Sequence, residues 1–451
     1  MSSEEFLFKA KESFKKKLLN QSKNYLKKFF LLEKNNIEAL SLMALILSAE
    51  NNLREARNFF NKALKIDPNN YILYFNFAKT LSDHNFDSEA VSYYFKAITI
   101  SPHFKEAYNN CGNTFQKLGN FLQAINYYDK AIKIDPNYSE AIYNKSFCQL
   151  ILADFKNGFK NYEARWFRKK APKYPHTKIT RLNNLSDLND KSLIVFSEQG
   201  LGDCIQFSRY VFKLLEFKVR KIVFEVDKRL KNLVSYQFRK YDIIDIIEFG
   251  ENFSATDFQI PLLSLPFLFG TTTKTIPFQD RYFYLDQKID LKNKTYLKNN
   301  KKINIGIACS GKQKFSFNYT KNIKLKFFLP LINYSNLFLL QDTLDKEDQL
   351  CLQQNPEIIF IGKDIKNFTD LAIVIENMDL VISIDTVFVH LAAALGKKTF
   401  LLLGDFSDWR WLLNIKNSIW YSSLIIFRKK MQDNDFKNLF REIEKILINM
   451  K

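Results

Sequence analysis

The chain has 451 residues, 46% of them hydrophobic and 25% charged, which is enough apolar material for two or three cores and too much for wholesale disorder. Lys plus Arg (67) exceeds Asp plus Glu (48) to give +19, yet only 13 of the 67 are Arg, and the lysines are spread along the chain beside Asn, Ile and 44 Phe. Such a drift, with no stretch of interleaved Arg and aromatics, argues against a nucleic-acid groove.

In chain order, residues 1–36 read as a degenerate helical cap. A repeat follows over residues 37–170. Pro68, Pro102 and Pro136 stand 34 residues apart, and before each comes the same series of small, aromatic and small residues: Ala56, Phe60, Ala63; Ala90, Tyr94, Ala97; Ala124, Tyr128, Ala131. Small residues let paired helices approach, the aromatic fills the space between them, and Pro ends the second helix. In this register the segment resembles the tetratricopeptide repeat. Leu42–Leu47, Tyr74–Leu81 and Tyr108–Leu118 supply the first helices, and a fourth unit starts near Ser139 with Gly158 and Tyr162 in register. Stacked repeats make a concave face suited to a protein partner.

From Ala171 the period changes. Short continuous apolar runs predict buried parallel strands at Ser192–Ser197, Lys221–Val226, Ile243–Phe249, Ile303–Cys309, Leu337–Gln341, Ile358–Ile361, Leu380–Ile384 and Thr399–Leu403. A polar run, Tyr282–Lys302, reads as a linker between two Rossmann-like halves, residues 171–295 and 296–451, and Lys416–Lys451 is expected to close the chain as a helix. Two such halves leave a cleft at the carboxyl ends of their strands.

Three segments carry chemistry. Ser197-Glu198-Gln199-Gly200-Leu201-Gly202-Asp203 sits at a strand-to-helix turn, where Gly200 and Gly202 admit a bulky polar ligand and Gln206 follows on the helix. Asp203 serves there either as a helix cap or as a base aimed into the cleft. Gly306–Gly311 and then Tyr319–Ile323 give a strand, a turn at Gly311 and a cation, Lys321, suited to a phosphate or to solvent. Ser383-Ile384-Asp385-Thr386 with His390 opens a helix whose free amides and hydroxyl form an anion site, with a cap and a core histidine as the plain alternative. The pair Trp409 and Trp411 reads as a wall or as packing. Asp433-Asn434-Asp435 has no strand before it and reads as a solvated turn, so no metal site is expected.

The order E-Q-G-L-G-D-x-x-Q-F-x-R-Y, S-I-D-T-x-x-x-H-L-A-A-A-L-G and D-W-R-W-L-L, with the junction Gly158–Trp166, resembles bacterial proteins that fuse tetratricopeptide repeats to a heptosyltransferase-type glycosyltransferase. The resemblance implies a fold of class α plus α/β, an α-solenoid followed by two Rossmann-like domains of the GT-B type, the first holding the acceptor and the second the nucleotide-sugar donor. It implies Asp203 as general base, Asp385, Thr386 and His390 as donor-binding, and Lys321 where relatives carry Arg. No cofactor or metal is implied, the donor being a co-substrate. Val387 and Cys309 depart from the pattern, which has a small residue and Trp there. The expected function is inverting, metal-independent transfer of a sugar to a saccharide or protein acceptor; the alternative is a non-catalytic scaffold that binds partners through its repeats.

Five scattered cysteines without a C-x-x-C pair read as reduced thiols, and the N-terminus lacks the order of a secretory signal. Residues 260–270 and 380–403 are too short or too interrupted to span a bilayer. A cytoplasmic protein is expected, at most peripheral at the inner face of the membrane.

Overall fold

The computed structural model describes residues 1–285, 302–311, 322–404, 407–430 and 432–449. These fall into two compact units, residues 1–149 with 160–172, and residues 150–159 with 173–451.

The chain begins with paired helices: α1 (Ser3–Lys15), α2 (Leu19–Leu32), α3 (Ile37–Ala49), α4 (Leu53–Ile66), α5 (Tyr71–Asp83), α6 (Asp87–Ile100), α7 (Lys105–Lys117), α8 (Phe121–Ile134), α9 (Ser139–Ile151) and α10 (Phe155–Tyr162). Asn36, Asn52, Asn70 and Asn120 each cap a helix by accepting a backbone N–H of its first turn. The periodic residues are where the repeat needs them. Ala56, Ala90 and Ala124 are fully buried, and Phe60, Tyr94 and Tyr128 fill the helix interfaces, Phe60 stacking on Phe77 at 4.9 Å. The turn inside each pair holds one left-handed residue, at Asn51, Asn85, Gly119 and Ala153 in successive repeats, with φ of 60°, 64°, 74° and 67°. Glycine adopts this conformation freely and Asn tolerates it; Ala153 is strained.

The second unit is α/β. Its first part holds β1 (Thr180–Arg181), β2 (Ser192–Phe196), α11 (Leu201–Phe207), α12 (Arg209–Leu214), β3 (Lys221–Val226), α13 (Lys228–Phe238), β4 (Ile244–Glu248), β5 (Phe258–Pro261) and α14 (Leu265–Leu268). Its second holds β6 (Ile303–Ala308), β7 (Ser335–Leu339), α15 (Lys346–Gln354), β8 (Ile359–Phe360), α16 (Phe368–Glu376), β9 (Leu380–Ile384), α17 (Val387–Ala394), β10 (Thr399–Leu403), β11 (Leu424–Arg428) and α18 (Lys437–Ile448). The strands form a five-stranded sheet, β1-β5-β2-β3-β4, and a six-stranded sheet, β11-β10-β9-β6-β7-β8, parallel at every pairing. Strands β2, β7, β9 and β10 are buried along their whole length, which is why they read as unbroken apolar runs. The chain is thus a helical-repeat solenoid followed by a pair of Rossmann-like sheets of the GT-B type.

Three expectations change in detail. Lys416–Lys451 is not one helix: Leu424–Arg428 adds an edge strand before α18, since Leu-Ile-Ile-Phe suits a pleated surface better than a helix. β5 escaped the apolar pattern because Phe-Gln-Ile-Pro carries a buried polar residue, Gln259, and ends on Pro261. Tyr282 and Phe283, expected in a polar linker, are buried, and the N–H of each donates to the Ala394 carbonyl at the end of α17.

Residues 150–159 pack within this unit. The Phe155 ring stacks on Trp420 at 5.6 Å, and Phe159 meets Trp409 edge-on at 5.7 Å.

Candidate active site

The turn after β2 delivers Gly200 as the N-cap of α11, and Asp203 at the third helical position. Asp203 Oδ2 accepts the Gly200 N–H at 2.9 Å, so one oxygen caps the helix. The other accepts from Arg410 Nη2. Burial pushes the Asp203 carboxyl above its usual range, and the Arg410 charge opposes that push. Gln206, one turn on, is fully buried, and its Oε1 accepts from Arg410 Nε at 2.8 Å.

On the opposing half, β9 ends at Ile384, Asp385 follows, and Thr386 stands at the N-cap position of α17 without a side-chain cap bond. The Thr386 hydroxyl lies 3.2 Å from Ser383 Oγ. Helix α17 carries a buried His390, whose Nδ1 is 2.9 Å from Tyr421 Oη and whose Nε2 is 4.0 Å from Asp385 Oδ1; its ring stacks on Trp411 at 5.5 Å. The two helices meet closely: a Cβ added to Gly202 would lie 2.7 Å from His390 Cδ2.

The turn after β6 approaches Thr386 as well, since a Cβ on Gly311 would lie 3.4 Å from Thr386 Cγ2. It is held by buried Gln341, whose Oε1 accepts the Cys309 and Ser310 N–H groups at 2.6 and 3.0 Å. Cys309 itself is buried in the core of the second sheet. Lys321 lies outside the described residues.

The structure therefore sets Gly202 against His390, with Asp385 4.0 Å from that histidine, joins Asp203 and Gln206 through Arg410, and sets Gly311 beside Thr386. It adds residues the sequence did not mark. Arg410 sits in the D-W-R-W segment that reads as a wall, and its contacts with Asp203 are 207 positions away in sequence. Tyr421 and Gln341 carry no motif at all. Arg209 is the R of the E-Q-G-L-G-D-x-x-Q-F-x-R-Y stretch, where the sequence assigns it no role. It is fully buried and donates to the carbonyls of Gln206, Pro277 and Trp420 at 2.8, 3.3 and 2.7 Å, under the rings of Tyr282 and Tyr421 at 4.7 Å each. Among the described residues no group of three or more His, Cys, Asp or Glu is placed to hold a metal ion, and no helix is long and apolar enough to cross a membrane.

Chemically, the site holds a carboxylate in contact with a cation and, on the other half, a helix N-terminus with no side-chain cap.

Comparison with known proteins gives the same division. Tetratricopeptide repeat models match residues 37–70 and 106–138, and the model of glycosyltransferase family 9 (heptosyltransferase) matches residues 351–433. No curated protein matches the chain. Among solved structures, MamA from Desulfovibrio magneticus RS-1 is 19% identical, covering 36% of this chain and 91% of its own, with a TM-score of 0.33. PilF of Pseudomonas aeruginosa is 16% identical over 53% of this chain and 91% of its own, at 0.37. YrrB, described as a TPR protein with an unusual peptide-binding site, is 17% identical over 35% and 82%, at 0.30. The chain thus carries tetratricopeptide repeats in its N-terminal part and a glycosyltransferase family 9 (heptosyltransferase) domain in its C-terminal part.

Proposed function

We propose that the second unit transfers a sugar, with inversion and without a metal, from a nucleotide-diphospho-sugar to a hydroxyl of a saccharide or protein acceptor. The observation that carries this reading is the meeting of α11 and α17, which sets Asp203 of one half near Asp385 and His390 of the other, within a chain that matches a glycosyltransferase family.

In this reading Asp203 takes the proton of the acceptor hydroxyl as its oxygen bonds to the anomeric carbon. The bond from that carbon to the diphosphate breaks, and the departing charge is held by the free amides at the start of α17, the Thr386 hydroxyl and Lys321. Gly311 keeps the turn after β6 slim beside Thr386, while Gly202, expected to make room for a ligand, instead lets α11 close on His390. The repeats offer a concave face for a protein partner or acceptor, and the protein works in the cytoplasm.

The test is thermal-shift and calorimetric titration of the full chain with ADP-, UDP-, GDP- and dTDP-sugars. One nucleotide-sugar is expected to bind, to lose affinity in Asp385→Ala and to lose none in Asp203→Ala. With an acceptor in hand, Asp203→Ala lowers the transfer rate by about 10²- to 10⁴-fold. Binding of no nucleotide-sugar by a chain that is folded by circular dichroism overturns the reading in favour of a partner-binding scaffold.

A further inference from the structure

The Arg410 guanidinium has an acceptor on each of its nitrogens: Gln206 Oε1 on Nε at 2.8 Å, Asp408 Oδ1 on Nη1 at 2.8 Å, and Asp203 Oδ1 on Nη2. Two of these acceptors belong to α11 in the opposing half. The side chain is 8% exposed and lies over the Trp409 ring at 4.3 Å.

A plain staple between the halves leaves three things unexplained. Asp203 and Asp408 share one guanidinium, and Asp385 adds its own charge at Asp203, so a diphosphate brought to this place meets repulsion until a cation turns towards it. Gln206 is fully buried with its oxygen on Arg410, while its Nε2 has no acceptor; a buried amide N–H beside a guanidinium is half of an oxyanion receptor lacking its oxygen. And Arg410, while it holds Asp203, opposes the rise in proton affinity that burial gives the carboxyl, which works against Asp203 as base.

We propose that Arg410 is exchanged between two anions: it holds Asp203 before the donor arrives and turns to the donor's diphosphate once that is seated, freeing Asp203 to take a proton. This inference rests on the transferase reading. In the exchange Gln206 Nε2, buried without an acceptor, gains an anionic oxygen to donate to. The base is thereby armed by the donor and is held in check without it.

The experiment is calorimetric titration of the full chain with ADP, UDP, GDP and dTDP in wild type, Asp203→Asn, Arg410→Ala and the double variant. Removing the competing carboxylate is expected to tighten nucleoside-diphosphate binding by about tenfold in Asp203→Asn, while Arg410→Ala weakens it by at least about as much. In the Arg410→Ala background, Asp203→Asn tightens binding by less than it does in wild type, since only charge repulsion is then relieved. A nucleotide that binds wild type and Asp203→Asn equally, or Arg410→Ala as well as wild type, overturns the exchange and leaves donor binding standing. Failure of every nucleotide with every folded protein removes the transferase reading and the exchange together. Should Arg410→Ala not fold, wild type answers alone: Arg410 leaving the Trp409 face changes the tryptophan emission on nucleotide addition, and Trp409→Phe abolishes that change. Saturable binding with unaltered emission overturns the proposal.

Discussion

Gly202 shows how tightly single residues are constrained at the meeting of α11 and α17. Its added methyl would stand 2.7 Å from a His390 ring that is already fixed by Tyr421 and by stacking on Trp411. Alanine gains helix propensity there by about 1 kcal/mol, but forcing a carbon into a packed contact costs about 1–3 kcal/mol, so Gly202→Ala is expected to lower the melting temperature and weaken nucleotide-sugar binding. A calorimetric melt of the variant with unchanged stability would refute this. Asp203 makes a pH prediction. Its carboxyl lies above the ordinary value of 3.8, so the acid limb of transfer activity, read as rate against pH, is expected above that value. For stability the sign is opposite to that of a salt-bridged carboxylate. The native state takes up this proton before the unfolded chain does, so the group favours the fold more as pH falls through its raised native value. Asp203, Asp385 and Thr386 stand out in the sequence because each lies where a strand gives way to a helix, and His390 because it falls four residues after Thr386 on the same helix. Arg410 and Tyr421 do not, because what defines them is the opposing half, which no local pattern records.

At the scale of elements, the repeats were readable because one period sets small, aromatic and proline positions together. What that period does not display is backbone handedness. Ala153 occupies the left-handed turn that Gly119 fills in the previous repeat. Relief of about 1–2 kcal/mol of strain outweighs the extra chain entropy of glycine, roughly 0.5–1 kcal/mol. Ala153→Gly is therefore expected to raise the thermal midpoint, and a lowered midpoint would count against it. The strands were readable where both faces are covered and lost where a polar residue interrupts, as in β5, or where a run is short and lies in a charged tail, as in β11. Asp257, beside β5, accepts from the Ser192 N–H at 2.8 Å and the Ser192 hydroxyl at 2.7 Å, which fixes the start of β2. Those bonds lower its carboxyl to about 2. Its contribution is present above the unfolded value and fades as pH falls towards about 2. The stability gap between wild type and Asp257→Asn should accordingly narrow between pH 5 and pH 2 in urea titrations, roughly the span between the two titrations.

For the whole molecule, the boundary between compact units is interleaved, with residues 150–159 clustering with the α/β unit. A fragment starting at Leu150 therefore keeps Phe155 and Phe159 against Trp420 and Trp409, and one starting at Lys173 loses both. At about 1.5–3 kcal/mol for each buried Phe, the shorter fragment is expected to melt well below the longer one and to aggregate. Equal midpoints for the two would refute the packing. The same unit contains Arg209, which ties α12, Pro277 and Trp420 at one point, beside the Ala394 carbonyl that takes Tyr282 and Phe283. Mechanically Arg209 pins the parts of the unit that carry the two sheets at one point, and any rotation about that point displaces an atom in proportion to its distance from it. Gln206 offers its carbonyl to Arg209 and its amide oxygen to Arg410, so the Asp203 contact lies close to that point. For the proposed transferase this means that a relative rotation of the sheets, if an acceptor demands one, disturbs the Asp203 contact least.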